Sequence, residues 1–183
     1  MIKNLQSIQK VSEKFATKGS EPVLVIGNDL ETYVCKYILH RLPASRLFNE
    51  YIASSFLKIW QIPTPEIAFM EIKKEHVLDL QKPFKLFEPT CFASKYIRHA
   101  KDLENLTLLN RELINDNIKK TAIKIAFFDI GLANEDRNNN NYNLLIDSST
   151  SAPNICAIDH ECCFNTDNLY QAPYAINEAT AKR

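Results

Sequence analysis

Three oxygen-bearing side chains mark the last third of the sequence: Asp136 and Asn141 in NEDRNNNNYNLLID (134–147), and Asp159 at the end of ICAID (155–159). The carboxylate of Asp159 and the amide oxygen of Asn141 suit a hard cation such as Mg²⁺, which prefers oxygen ligands and keeps several waters. Asp136 precedes Asn141 by five residues. It would stand beside that cation, placed to orient or deprotonate an attacking hydroxyl. Phosphoryl transfer needs this arrangement: positioning and charge neutralisation, with little covalent chemistry from the protein. It also needs a positive charge for the phosphates. Lys36 lies in the strand-like TYVCKYIL, and Glu50 in the helix-like stretch that follows. Strand alternation puts Tyr33, Cys35 and Tyr37 on one face and Val34, Lys36 and Ile38 on the other. A lysine between two apolar neighbours calls for a partner.

Each residue also has a plainer reading. The asparagine run reads as a solvated turn, Lys36 as an edge-strand lysine, Glu50 as a helix-surface residue and Asp159 as a hairpin end. Arg137 is expected to pair with a nearby carboxylate, and His160 to be a hydrogen-bonded structural histidine. His40, His76 and His99 show neither HExxH nor zinc-ligand spacing.

Elements that could position these groups follow from periodicity. Leu5, Ile8, Val11 and Phe15 predict a short helix over 4–17. PVLVIG (22–27) and ETYVCKYIL (31–39) predict a hairpin turning at Asn28-Asp29. Leu47, Phe48, Tyr51, Ile52, Phe56 and Ile59 predict a helix over 46–60 with Ser45 as N-cap. Its aromatics, Trp60 included, are assigned to the core. IPTP (62–65) is a rigid connector, EIAFMEI (66–72) a strand, and CFASKYI (91–97) another. KDLENLTLLN reads as a short helix and linker. A long helix is expected from Asn110 to about Ile130, stopped by Gly131. NLLID (143–147) and ICAID (155–159) form a hairpin around SSTSAPN. Strands first, helices next and a small hairpin last give an α+β chain with two layers of different character.

Length and composition set the limits. The chain has 183 residues, 45% hydrophobic and 24% charged, enough for one domain or one two-lobed unit with a sizeable core. Equal numbers of basic and acidic residues, 22 each, give no electrostatic case for nucleic acid or an anionic membrane. No apolar run reaches the roughly 20 residues of a spanning helix, and the N-terminus lacks the h-region of a signal peptide. Cys35, Cys91, Cys156, Cys162 and Cys163 make an odd number without a CxxC pair. They are expected mostly as buried thiols in a reducing, cytoplasmic setting.

The stretches GSEPVLVIGNDLETYVCKY, NEYIASSFLKIWQIPTPEIAFMEI, CFASKYI, NEDRNNNNYNLLI and AIDHECCF together resemble the HipA-like kinase domain family, part of the wider protein-kinase and phosphoinositide-kinase-like fold. The resemblance covers roughly residues 18–165. It implies an α+β, two-lobed fold over residues 1–183, with a small antiparallel-sheet N-lobe at about 18–100. A shortened helical C-lobe with a catalytic-loop β-hairpin would occupy 101–183. It further implies ATP and Mg²⁺ as cofactors, phosphate transfer to a protein Ser or Thr, and a protein substrate or cognate regulator as partner. By the same resemblance Lys36 is the phosphate-binding lysine, Glu50 its helix partner and Asp136 the catalytic aspartate. Asn141 and Asp159 are the metal ligands, and Tyr96 and Ile97 lie on the adenine side. With only Gly19, Gly27 and Gly131 in the chain there is no GxGxxG, so the phosphate grip is expected at Gly27-Asn28-Asp29 or from side chains. The short C-lobe leaves a second expectation open, a non-catalytic nucleotide-binding or protein-interaction module on the same fold.

Overall fold

The structure is a computed structural model, and it describes residues 2–11, 13–14, 20–39, 43–80, 82–103, 114–138, 141–147 and 153–164. In chain order the described elements are β1 (Lys3–Gln6), β2 (Glu13–Lys14), β3 (Val23–Ile26), β4 (Thr32–Lys36), α1 (Ala44–Ile59) and β5 (Ile67–Glu71). Three single 3₁₀ turns follow, then β6 (Cys91–Lys95), β7 (Ala100–Asp102), α2 (Asp116–Gly131), β8 (Leu144–Asp147) and β9 (Asn154–Ala157).

Two sheets form. One has six strands in the order β1-β5-β6-β4-β3-β2, the other three in the order β7-β8-β9. Val23, Val25, Tyr33, Cys35, Tyr37, Met70 and Phe87 fill a core on one face of the larger sheet, as the alternation of VLVI and TYVCKY requires. On its other face Lys36 sits beside Val34, at the end of β4, where Lys36 is opposite Phe92 of β6. A second core joins Ala53 and Leu57 of α1 to Ile118, Ile125 and Phe128 of α2 and to Leu144, Ile146 and Ile155 of the hairpin. α1 thereby ties the large sheet to the small one. The architecture is α+β.

Several local expectations give way. The helix over 4–17 is replaced by β1 and β2 where that stretch is described, and Phe15 lies outside the described residues. β1 pairs with β5 in parallel, Lys3 opposite Ala68, so the sheet is mixed rather than wholly antiparallel. A free sheet edge offers a ladder of backbone hydrogen bonds that outweighs the weak helix preference of a short segment. The N-cap of α1 is Pro43, with Ser45 inside the helix. α1 buries Leu47, Asn49, Glu50, Ala53, Ser54 and Leu57, and leaves Phe48, Ile59 and Trp60 at 61%, 70% and 53% exposure. The aromatic face expected inside therefore points partly outward, because the helix turns its acidic residue toward Lys36. α2 starts at Asn115, whose side chain accepts from the Ile118 amide at 2.9 Å. Gly131 is its last residue, and the left-handed position falls on Ala133. KDLENLTLLN begins as β7, its remainder lying outside the described residues, as does most of the 148–154 turn.

Candidate functional site

Lys36 is the centre of a buried ionic cluster. Its Nζ donates to Glu50 Oε2 at 2.9 Å, Asp159 Oδ1 at 2.7 Å and Glu161 Oε2 at 3.1 Å. Glu50 is presented by the middle of α1, and Asp159 and Glu161 by the turn after β9. The Asn49 amide fixes that turn by donating to the Glu161 and Cys163 carbonyls at 3.2 and 3.0 Å. The sequence thus spends two adjacent positions of α1, Asn49 and Glu50, on one feature. Burial disfavours the charged Lys36 ammonium, but the charges of Asp159, Glu50 and Glu161 outweigh it and hold the pKa well above the usual lysine value. One cation cannot satisfy three acids. Burial lifts Glu50 to about 7 against the pull of Lys36. Burial also lifts Glu161. For Asp159, burial acts upward, but Lys36, with His160 and Arg137, leaves the carboxyl below its ordinary value.

Lys36, Glu50 and Asp159 line a cleft of about 570 Å³ bordered by residues of both sheets, within the range of small-molecule sites. Val34 and Phe92 form one wall and Leu145 and Ile158 the other. Tyr96 and Ile97 border it. The Tyr96 amide is committed to the Thr32 carbonyl at 2.8 Å, so Tyr96 offers its side chain and carbonyl rather than its N–H. The turn Gly27-Asn28-Asp29 does not border the cleft; Ser20 and Pro22 do. That turn is spent on β1 instead. The Asn28 amide donates to the Gln6 carbonyl at 2.9 Å, and Lys3 pairs with Asp29 at 3.1 Å. A Cβ at Gly27 would meet Asp29 Oδ1 at 2.9 Å, so its glycine serves a tight turn rather than a ligand.

Asp136 and Asn141 meet directly. Asn141 Nδ2 donates to Asp136 Oδ2 at 2.8 Å, and Asn143 Nδ2 donates to the same oxygen at 3.0 Å. Asn143 lines the cleft together with Asp159, so Asp136 stands one hydrogen bond behind the cleft wall. Asn141 does not line it. Asn143 and Asp159 have φ of 47° and 58°, the left-handed region that Asn and Asp tolerate best among residues with a Cβ.

Arg137 has the structural role expected of it. It donates from Nε to Asp129 Oδ2 at 2.5 Å and from Nη1 to the carbonyls of Tyr142 and Asn143. Its Nη2 reaches His160 Nε2 at 2.9 Å. His160 is buried, and burial followed by the Arg137 charge pushes its pKa down to about 3. It is therefore neutral, and accepts at Nε2 because a guanidinium only donates. One guanidinium joins α2, the asparagine loop and the Asp159 turn.

Glu161 and Asn143 are the residues that sequence reasoning missed. Both sit two positions beyond a residue it selected, Asp159 and Asn141. The chain is not extended there, with left-handed φ at Asn143 and Asp159, so strand alternation gave no signal for either.

Single oxygens of Glu50, Asp159 and Glu161 lie within 4.8 Å of one another, gathered around the Lys36 ammonium; Asp159, which also lines the cleft, is the one placed to turn an oxygen to a hard cation there. Asn141, the second expected ligand, has its Nδ2 on Asp136 and does not border the cleft with Asp159. Carboxylate and amide oxygens are the ligands Mg²⁺ selects.

Residues 8–174 match the sequence pattern of the family described as HipA-like kinase. Among solved structures, the chain is similar to the proinflammatory kinase CtkA of Helicobacter pylori, at a TM-score of 0.58 and 16% identity over 90% of this chain and 60% of that one. The likeness is one of fold, a kinase-like fold, and the chain spans 60% of that kinase's length. No curated protein matches the chain by sequence.

Proposed function

The chain belongs to the HipA-like kinase family, and from that premise we propose that it transfers the γ-phosphoryl group of ATP, with Mg²⁺, to a Ser or Thr hydroxyl of a protein. One observation carries the reading. A helix glutamate and a turn aspartate converge within 2.9 Å of a strand lysine's ammonium in the lining of a cleft of nucleotide size. An ordinary surface pair would not be buried at such a place.

In this reading each residue takes the role that the family resemblance implies. Lys36 holds the phosphates, and Glu50 holds Lys36. Tyr96 and Ile97 border the base. Asp159 and Asn141 would hold Mg²⁺, whose charge, when bound, offsets that of the phosphates. Asp136, fixed through Oδ2 by two amides behind the Asn143 wall, would accept the proton of a hydroxyl that approaches from outside the cleft lining. In this reading residues 1–183 act as one two-lobed domain, with the N-lobe at about 18–100 and the C-lobe at 101–183. Five free cysteines, four of them buried, support a reducing, cytoplasmic setting.

A second reading has one observation in its favour. Neither Asp136 nor Asn141 lines the cleft. The chain would then bind nucleotide or a partner without turnover. Incubation with radiolabelled ATP and Mg²⁺ separates the two. Label on the chain or on an added protein, lost in Asp136→Ala, supports transfer. Nucleotide binding without label in either protein supports the binding module.

A further inference from the structure

We propose that Glu161 is a positioning residue that competes with nucleotide for Lys36 and so makes nucleotide capture depend on a divalent cation. This rests on the nucleotide-binding reading above and adds a regulator of that same site.

An ammonium has three N–H donors. In Lys36 all three are taken, by Glu50, Asp159 and Glu161, at 2.9, 2.7 and 3.1 Å. A phosphate oxygen therefore reaches Lys36 only by displacing a carboxylate. Glu50 is the least displaceable, anchored in mid-helix with its side chain 6% exposed. Asp159 and Glu161 come from a single turn and leave Lys36 together or in succession. Their release exposes two carboxylates beside an anionic ligand. Among the described residues Arg46 also pairs with the cluster, 3.9 Å from Glu161 Oε1, while Arg137 is bonded to Asp129, so three acids share two paired bases. Bare triphosphate meets repulsion as well as an occupied lysine. A divalent cation shared with Asp159 relieves both, so cation and nucleotide bind with positive coupling. Asp159 alone would explain a metal ligand. Glu161, the third acceptor, turns an available lysine into a saturated one.

Calorimetric titration of the full chain with ATP in EDTA and in Mg²⁺ tests this, with thermal melts as the control for folding. Wild type should bind far more weakly in EDTA. Glu161→Gln keeps the shape, removes the charge and should tighten binding in EDTA by about tenfold, a typical coupling. Arg46→Gln, which releases Glu161 to Lys36, should weaken it. An unchanged EDTA affinity in Glu161→Gln, with normal Mg²⁺-supported binding in wild type, overturns the inference. So does a change confined to the Mg²⁺ arm, which would mark Glu161 as a metal ligand instead. Wild type that binds in neither buffer removes the nucleotide reading, and this inference with it.

Discussion

A carboxylate that receives two amide hydrogens at one oxygen is held in direction without being neutralised, and Asp136 is in that state. Asp136→Ala should lower phosphoryl transfer by about 10²- to 10⁴-fold, the usual worth of a general base, with ATP affinity nearly unchanged. Initial rates and titrations measure the two effects separately. Glu50 gives a pH signature. Its folded pKa, about 7, lies above the unfolded 4.5, so the folded state keeps a proton that the unfolded state has released. Its contribution to stability therefore falls as pH rises from about 4.5 through 7. His160, lowered from 6.5 to about 3, acts oppositely, and its contribution grows as pH rises across that interval. The two partly cancel in wild type. In metal-free buffer, Glu50→Gln should therefore gain melting temperature relative to wild type as pH goes from 5 to 7. Parallel curves for the two proteins would contradict the raised pKa.

At the scale of elements, Arg137 decides whether the asparagine loop has a shape at all. It joins Asp129 of α2 to the loop carbonyls and to His160. Arg137→Met leaves Asp129 buried without its cation, a loss of about 3–5 kcal/mol by the measure of broken buried pairs. Urea unfolding would show it, and Asp129→Asn in the same background should recover part. The sequence made β3, β4, β5, β6, α1 and the β8–β9 hairpin legible, because each has a run of the right period between Pro, Gly or Asn breaks. It also pointed to Lys36, Glu50, Asp136 and Asp159 through residue type and order. β1 was not legible, since a four-residue strand is defined by the edge it joins rather than by its own pattern. The buried face of α1 was misjudged for a related reason. Hydrophobic counting favours Phe48 and Ile59, whereas the helix is turned by the pairing of Glu50 with a lysine elsewhere in the chain. Glu161 went unnoticed because its significance depends on Lys36 having three acceptors, which only the assembled turn reveals.

For the molecule as a whole, the cleft lies where two cores meet, so a ligand there should stabilise both. ATP with Mg²⁺ at a hundred times its dissociation constant should add about 2.7 kcal/mol, read as a rise in melting temperature that Asp159→Ala abolishes. No helix among the described residues is long and apolar enough to cross a membrane.

The parallel seam between β1 and β5 also governs how the chain can assemble during translation. Lys3 finds its place only opposite Ala68, and Lys36 meets Asp159 across 123 positions. β1 must wait for a strand made later, and the lysine waits longer still for the acids of the Asp159 turn. Native contacts of such wide separation form slowly. A nascent chain stalled before residue 159 would have the large sheet available but an open cleft, and ribosome-bound intermediates of graded length would gain protease resistance in two steps.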